Sequence, residues 1–180
     1  MIVNVNSPGY VVGFAAAVSA LFTAAIMTLY AAAEPAVLRN EKLFQQKALI
    51  ELFGLDGGRK LPDDDIVDLY GRHVRLGPKV TDPVSGSRFE LVRAVERDAR
   101  TGAERIVAYA MPIWGVGFWA RIEGYLALSP GLDEVVGIAF LKHAETPGLG
   151  GRITEKKWRR QFAGLPLTRD AEGGKFITVG

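Results

Sequence analysis

Between Gly9 and Ala33 the chain carries no charged side chain: GYVVGFAAAVSALFTAAIMTLYAAA. No other feature restricts the fold as strongly. A bilayer supplies no hydrogen bonds, so a spanning segment must satisfy its own backbone, and a single segment does that as a helix. About 20 apolar residues cross the hydrocarbon core, so this run is long enough with some tilt. Tyr10 and Tyr30 lie near its ends, where amphipathic rings favour the interface. Gly13, Ala15, Ala16, Ala17, Ser19, Ala20, Ala24 and Ala25 are small enough for a second helix to approach closely, which suggests a partner subunit. A cleaved signal peptide is the competing reading. Against it, the run exceeds the usual apolar core of ~7–15 residues and no Lys or Arg precedes it. Arg39, Lys42 and Lys47 follow the run, mixed with Glu34 and Glu41. Taken alone, the positive-inside rule would leave the remainder in the cytoplasm.

Residues 1–34 thus read as an N-terminal tail and transmembrane helix, and 35–180 as one α+β domain. Pro35 marks the exit from the membrane. AVLRNEKLFQQKALIELFGL then reads as an amphipathic helix. Leu38, Leu43, Ala48, Leu49 and Leu52 fall near one face, and Lys42, Gln45, Gln46 and Glu51 largely elsewhere. The glycines of DGG at 56–58 stop it. LPDDDIVDLYGRHV is a second helix, with Asp63, Asp64 and Asp65 at the start, where the macrodipole favours carboxylates. From Arg88 the period changes to two. RFELVRAVER and ERIVAYAMPI form one hairpin around DARTG, and RIEGYLALS and EVVGIAFLKH form another around PGLD. TEKKWRRQF is a short helix, and GGKFITVG begins one more strand.

Composition then removes whole classes of chemistry. With no cysteine there are no disulfides, thiolate zinc sites or Cys-ligated iron–sulfur clusters. His73 and His143 are too far apart in sequence to suggest a zinc site, and no metal site is expected. A formal net charge of +2 gives no large field to attract nucleic acid. A redox role would therefore need an organic cofactor. One stretch stands out: HAETPGLGGRI places Gly148, Gly150 and Gly151 within four residues, after the apolar VVGIAFL and before the charged TEKKWRR. A plain turn needs fewer glycines.

Two segments, in this order and at this spacing, resemble the FMN-binding domain family. They are Pro-Ile-x-Gly-x-Gly-aromatic-Trp at 112–119 and Glu145-Thr146-Pro147-Gly148-Leu149-Gly150 after a short strand. Members include the C subunit of the sodium-translocating NADH:quinone reductase and the G subunit of the Rnf electron-transport complex. The resemblance covers most of residues 10–180, including the single N-terminal membrane helix. It implies an FMN whose phosphate is esterified to the last Thr of a Ser/Thr-Gly-Ala-Thr motif that follows the strand corresponding to GGKFITVG. The sequence reaches Gly180 without that motif. The expectation is that the natural chain continues into it; the alternative is a member that binds FMN loosely or not at all. TGAE at 101–104 has Glu104 where the acceptor would stand and reads as a turn.

For FMN binding the resemblance points to Phe118, Trp119, Glu145, Thr146, Pro147, Gly148, Leu149, Gly150 and Gly151. The glycines would let backbone approach the ring and adopt positive φ. Pro147 would set the entry to the turn, and Thr146 would meet the polar edge of the flavin. Leu149 would give apolar contact, and Phe118 and Trp119 an aromatic wall. Glu145 would either orient the loop or tune the ring. His143 reads as a surface imidazole. Lys156, Lys157, Arg159 and Arg160 read as a solvated basic face, or else a docking surface.

The function implied is an electron-relay subunit of a redox-driven ion pump, not a complete enzyme alone. It would sit in the inner membrane among other subunits, with its domain on the periplasmic side. An FMN domain of another membrane electron chain, such as nitrous-oxide respiration, and a flavin-less structural subunit are the alternatives.

Overall fold

The computed structural model describes residues 7–83 and 86–167. The expected strand at 173–180 lies outside these. The chain forms two compact units that part between Lys42 and Leu43. One helix, α1 (Pro8–Leu52), gives its first part to one unit and its last turns to the other.

Before Glu34, the helix of the first unit is uncharged on every face. Leu21, Phe22, Ile26 and Leu29 are each more than 60% exposed, so no protein core accounts for them. Among the described residues this is the one helix long and apolar enough to cross a membrane. The hydroxyl of Thr28 donates to Ala24 O at 2.7 Å, satisfying itself within the helix. The helix also runs through Pro35. Proline removes one backbone bond and crowds the preceding turn. Here AAAE and AVLRNEKL on either side are good helix formers, and the loss stays local.

In the second unit α1 buries Gln46, Leu49, Ile50 and Leu52, the i, i+3, i+4 stripe of a packed helix. Gln46, expected on the polar side, is thus in the core, while Leu38 is exposed. The helix stops four residues before the expected DGG. Leu55 N donates to Ile50 O and Gly54 N to Glu51 O, with Gly54 at φ 69°. These are the paired bonds of a Schellman cap, and Leu55 packs on the core as its apolar partner. Helix α2 (Asp63–His73) begins after Pro62 with no side-chain cap. Its three aspartates therefore act through the helix dipole, and Asp63 also pairs with Lys47 at 2.6 Å.

Among the described residues, five antiparallel strands form a meander in chain order: β1 (Val74–Thr81), β2 (Arg88–Arg97), β3 (Glu104–Val116), β4 (Arg121–Leu128) and β5 (Val135–Lys142). The architecture is α+β, as expected. Strand β1 was missed because Gly77 and Pro78 interrupt its pattern. Among the described residues it is an edge strand, where a proline needs no ladder partner, and the register shifts across just these residues. A Cβ on Gly77 would stand 2.9 Å from Leu91 O. DARTG is the β2–β3 turn, held by Asp98 Oδ1 accepting from Arg100 N and Thr101 N at 2.8 and 2.7 Å. TGAE at 101–104 thus lies in this turn and the start of β3, as expected.

The sheet packs on α1 through small residues. Ala110, Ala127 and Ala139 share the core with Leu49, Ile50 and Leu52, and Gly137 lets the Leu52 side chain lie against β5. Tyr70 and Tyr125 flank this core. Burial raises the pKa of both phenols, and Tyr70 adds a like-charge contribution at Tyr125. A raised pKa in the folded state gives stability that is full below the unfolded phenol's pKa of ~10 and lost as pH rises through the folded value. Urea midpoints of the full chain should therefore be level to about pH 9 and fall above about pH 10. Tyr125→Phe should flatten that fall; an unchanged slope would refute the burial argument.

Candidate functional site

Strand pairing decides where the two motif segments meet. Val116 pairs with Arg121, closing the β3–β4 hairpin through Gly117–Ala120. Lys142 pairs with Glu123, so the chain leaves β5 at the same end of the sheet. The loop 143–151 therefore arrives beside the hairpin tip.

The Glu145 carboxylate joins them. Phe118 N donates to its Oε1 at 2.8 Å and Trp119 N at 3.4 Å. The Trp119 indole N–H donates to Thr146 Oγ1 at 3.1 Å. Thr146 O accepts from Leu149 N and Gly151 N at 3.1 and 3.0 Å, which winds the loop into a tight turn. Gly148 sits at φ 75°, where a side chain would be strained.

The glycines thus serve the loop itself more than was expected. A Cβ on Gly117 would collide with Glu145 Oε1, and one on Gly150 would stand 2.7 Å from Oε2. Two glycines far apart in sequence make room for one carboxylate. Glu145 accepts backbone hydrogens from the hairpin, the contact that the first of its two expected roles requires. Gly148 remains free for a ligand, with nothing within 4 Å of the position of a Cβ.

All nine expected residues lie in these two joined segments. Phe118, Trp119 and Leu149 are 83%, 67% and 73% exposed, and the first two rings meet edge to face at 5.0 Å. The sequence reading missed Trp114. It stands at the variable position of Pro-Ile-x-Gly, is largely exposed, and carries the Arg121 guanidinium 4.5 Å over its ring. A groove of about 240 Å³ runs between Trp114, Val116, Ile122 and Phe140. An aromatic at the end of a half-buried strand was the available signal. His143 is exposed, as expected. The basic cluster is only partly a solvated face: Arg159 and Lys156 reach Glu51 Oε1 at 3.1 and 3.3 Å and tie α3 (Lys156–Arg159) to α1. No group of three or more potential metal ligands occurs among the described residues.

Exposed aromatic faces, a threonine hydroxyl with a proton to donate and bare backbone at Gly148 suit a flat, apolar ring with a polar edge. Residues 117–177 match a family model described as the FMN-binding domain, and the match begins at the hairpin glycine. The chain resembles the FMN-binding domain family. Its curated relatives include the C subunit of the Na(+)-translocating NADH-quinone reductase of Pasteurella multocida. That protein is 33% identical over 100 residues, which cover 55% of this chain and 38% of the relative. The protein of the same name from Pseudomonas aeruginosa is 37% identical over 92 residues, covering 51% and 33%. The matched stretch is thus well under half the length of these relatives. Among solved structures, Shewanella oneidensis NqrC aligns with a TM-score of 0.54 at 17% identity, covering 72% of this chain and 73% of that one. At that identity the likeness is one of fold.

Proposed function

We propose that this chain is a membrane-anchored, FMN-carrying electron-relay subunit of a redox-driven ion-translocating complex. The relatives' name points to the sodium-translocating NADH:quinone reductase type. The Glu145–Phe118 bond carries the reading, because it joins two distant segments into one exposed aromatic site at the start of the stretch that matches the FMN-binding domain. FMN, when bound, supplies electron transfer that side chains alone do not provide. The residues of the chain position it and shape its surroundings. Phe118 and Trp119 offer ring faces. Thr146, already accepting from Trp119, keeps its own hydroxyl proton to donate. Gly148 lets backbone approach, and Leu149 covers an apolar edge. Glu145 holds the loop against the hairpin and so fixes the distance between these groups. Other membrane subunits would deliver and accept the electron, with the domain on the periplasmic side of the inner membrane.

The test is the absorption spectrum of the native full-length protein, followed by in-gel ultraviolet fluorescence and intact mass after SDS. Flavin absorption is expected in the native protein. Fluorescence that survives SDS with the added mass of FMN would establish a covalent link. Flavin released by SDS would establish a non-covalent one. A native protein free of flavin would overturn the proposal and leave a structural subunit of a membrane complex.

A further inference from the structure

Around the end of α1 lie two adjoining crevices of about 270 and 390 Å³ that share Glu51, Asp56, Gly58 and Lys156. Among the described residues, their walls gather Lys47, Arg59, Lys60, Lys156, Arg159 and Arg160 against two carboxylates, Glu51 and Asp56. The whole chain, by contrast, has 22 basic and 20 acidic residues. Internal pairing explains part of this charge. Lys47 meets Asp63, and Lys156 and Arg159 share Glu51. Arg59, Lys60 and Arg160 have no such partner among the described residues. Gathering like charges is unfavourable, so a fold that retains them gains when something anionic occupies the crevice.

We propose that this crevice docks an acidic peptide segment of a partner protein. Three observations favour that occupant over a small phosphate ligand. The crevice is open, and its unpaired charges sit on long side chains. The nearby backbone amides are already used: Gly57 N donates to Gly54 O and Arg59 N to Asp56 O, each at 3.2 Å. A phosphate cradle would instead converge free amides on one point. The floor is partly apolar, with Leu52, Val136 and Ile138, while Gly54 and Gly58 leave bare backbone along it. An extended chain carrying several carboxylates matches that shape and charge. The inference does not depend on the flavin.

The test is fluorescence anisotropy of a labelled hexaglutamate peptide with the full chain in detergent, at low salt and at ~0.15 M. Binding is expected to weaken with salt. The combined Arg59→Gln, Lys60→Gln and Arg160→Gln variant should weaken it roughly tenfold or more, since truncating rim and docking charges lowers association. Removing the same charge elsewhere, with Lys79→Gln, Arg88→Gln and Arg100→Gln, should change it less than about twofold. The substituted crevice cations make no ion pair among the described residues, and circular dichroism checks folding. Lys60→Gln and Arg160→Gln singly should each show part of the loss. Equal weakening in both triple variants, no binding by the unmodified chain, or binding of inorganic pyrophosphate without binding of the peptide would each overturn the proposal.

Discussion

Gly124→Ala should destabilise the domain by about 3 kcal/mol or more, at or above the usual range for overpacking. Gly124 is buried in β4, between β3 and β5. A Cβ there would collide with the carbonyl oxygen of Ala139 and stand 3.1 Å from the Ala139 carbonyl carbon and from Phe140 Cα. These are backbone atoms of a paired strand, and neither neighbour can withdraw without breaking its ladder. The register shifts between Glu123 and Gly124, so the close approach is part of the pairing itself. Gly137→Ala is the contrast. Its Cβ would meet Leu52 Cδ1 at 3.3 Å, the end of a side chain that can turn aside. That substitution should cost about 1 kcal/mol or less. Urea unfolding of both variants, followed by circular dichroism, reads the difference. Equal midpoints would show that β5 yields where the close contact says it does not.

On the proposed function, Glu145→Ala should cost the site its flavin while leaving the sheet folded. The carboxylate accepts from two backbone amides, and a hydrogen bond to a charged group contributes about 1.5–3 kcal/mol. If that energy serves to hold the 145–151 loop in its binding position, losing it weakens FMN binding roughly 10- to 100-fold. Gly117→Ala should do the same by a different route, since its methyl would collide with Glu145 Oε1 and meet Ala120 O at 2.7 Å. Glu145→Gln keeps an acceptor oxygen and should recover part of the binding. The urea midpoint should move little, because the bonds lie at an exposed tip rather than in the core. Flavin content per purified chain, with Trp119 quenching as a second signal, measures the effect. Full flavin content in Glu145→Ala would remove Glu145 from the site.

Much of this architecture is legible in local pattern. Strand β2 occupies just the residues whose alternation announces it, 88–97, because one face of the sheet meets a helix and the period of two records that burial. Helix α2 follows its acidic first turn and amphipathic body. The weaker readings share a cause. β1 carries Gly77 and Pro78, which oppose a strand locally and are tolerated only because the strand is an edge. Pro35 opposes a helix that its neighbours sustain. Gln46 looks polar and is buried because the stripe through 46, 49 and 50 faces the sheet. In each case the residue's own preference yields to what it packs against.

The site divides in the same way. Glycines, aromatics and a glutamate in two short segments are features of the sequence, and so is the uncharged run that gives α1 its apolar surface. Each follows from local side-chain chemistry. That Glu145 caps the Phe118 amide, that Gly117 makes room for the same carboxylate, and that Lys156 and Arg159 grip Glu51 were decided by the tertiary structure alone. These contacts join residues 27 or more positions apart; strand register brings Glu145 to the hairpin amides, and the packing of helices against the sheet brings α3 to Glu51.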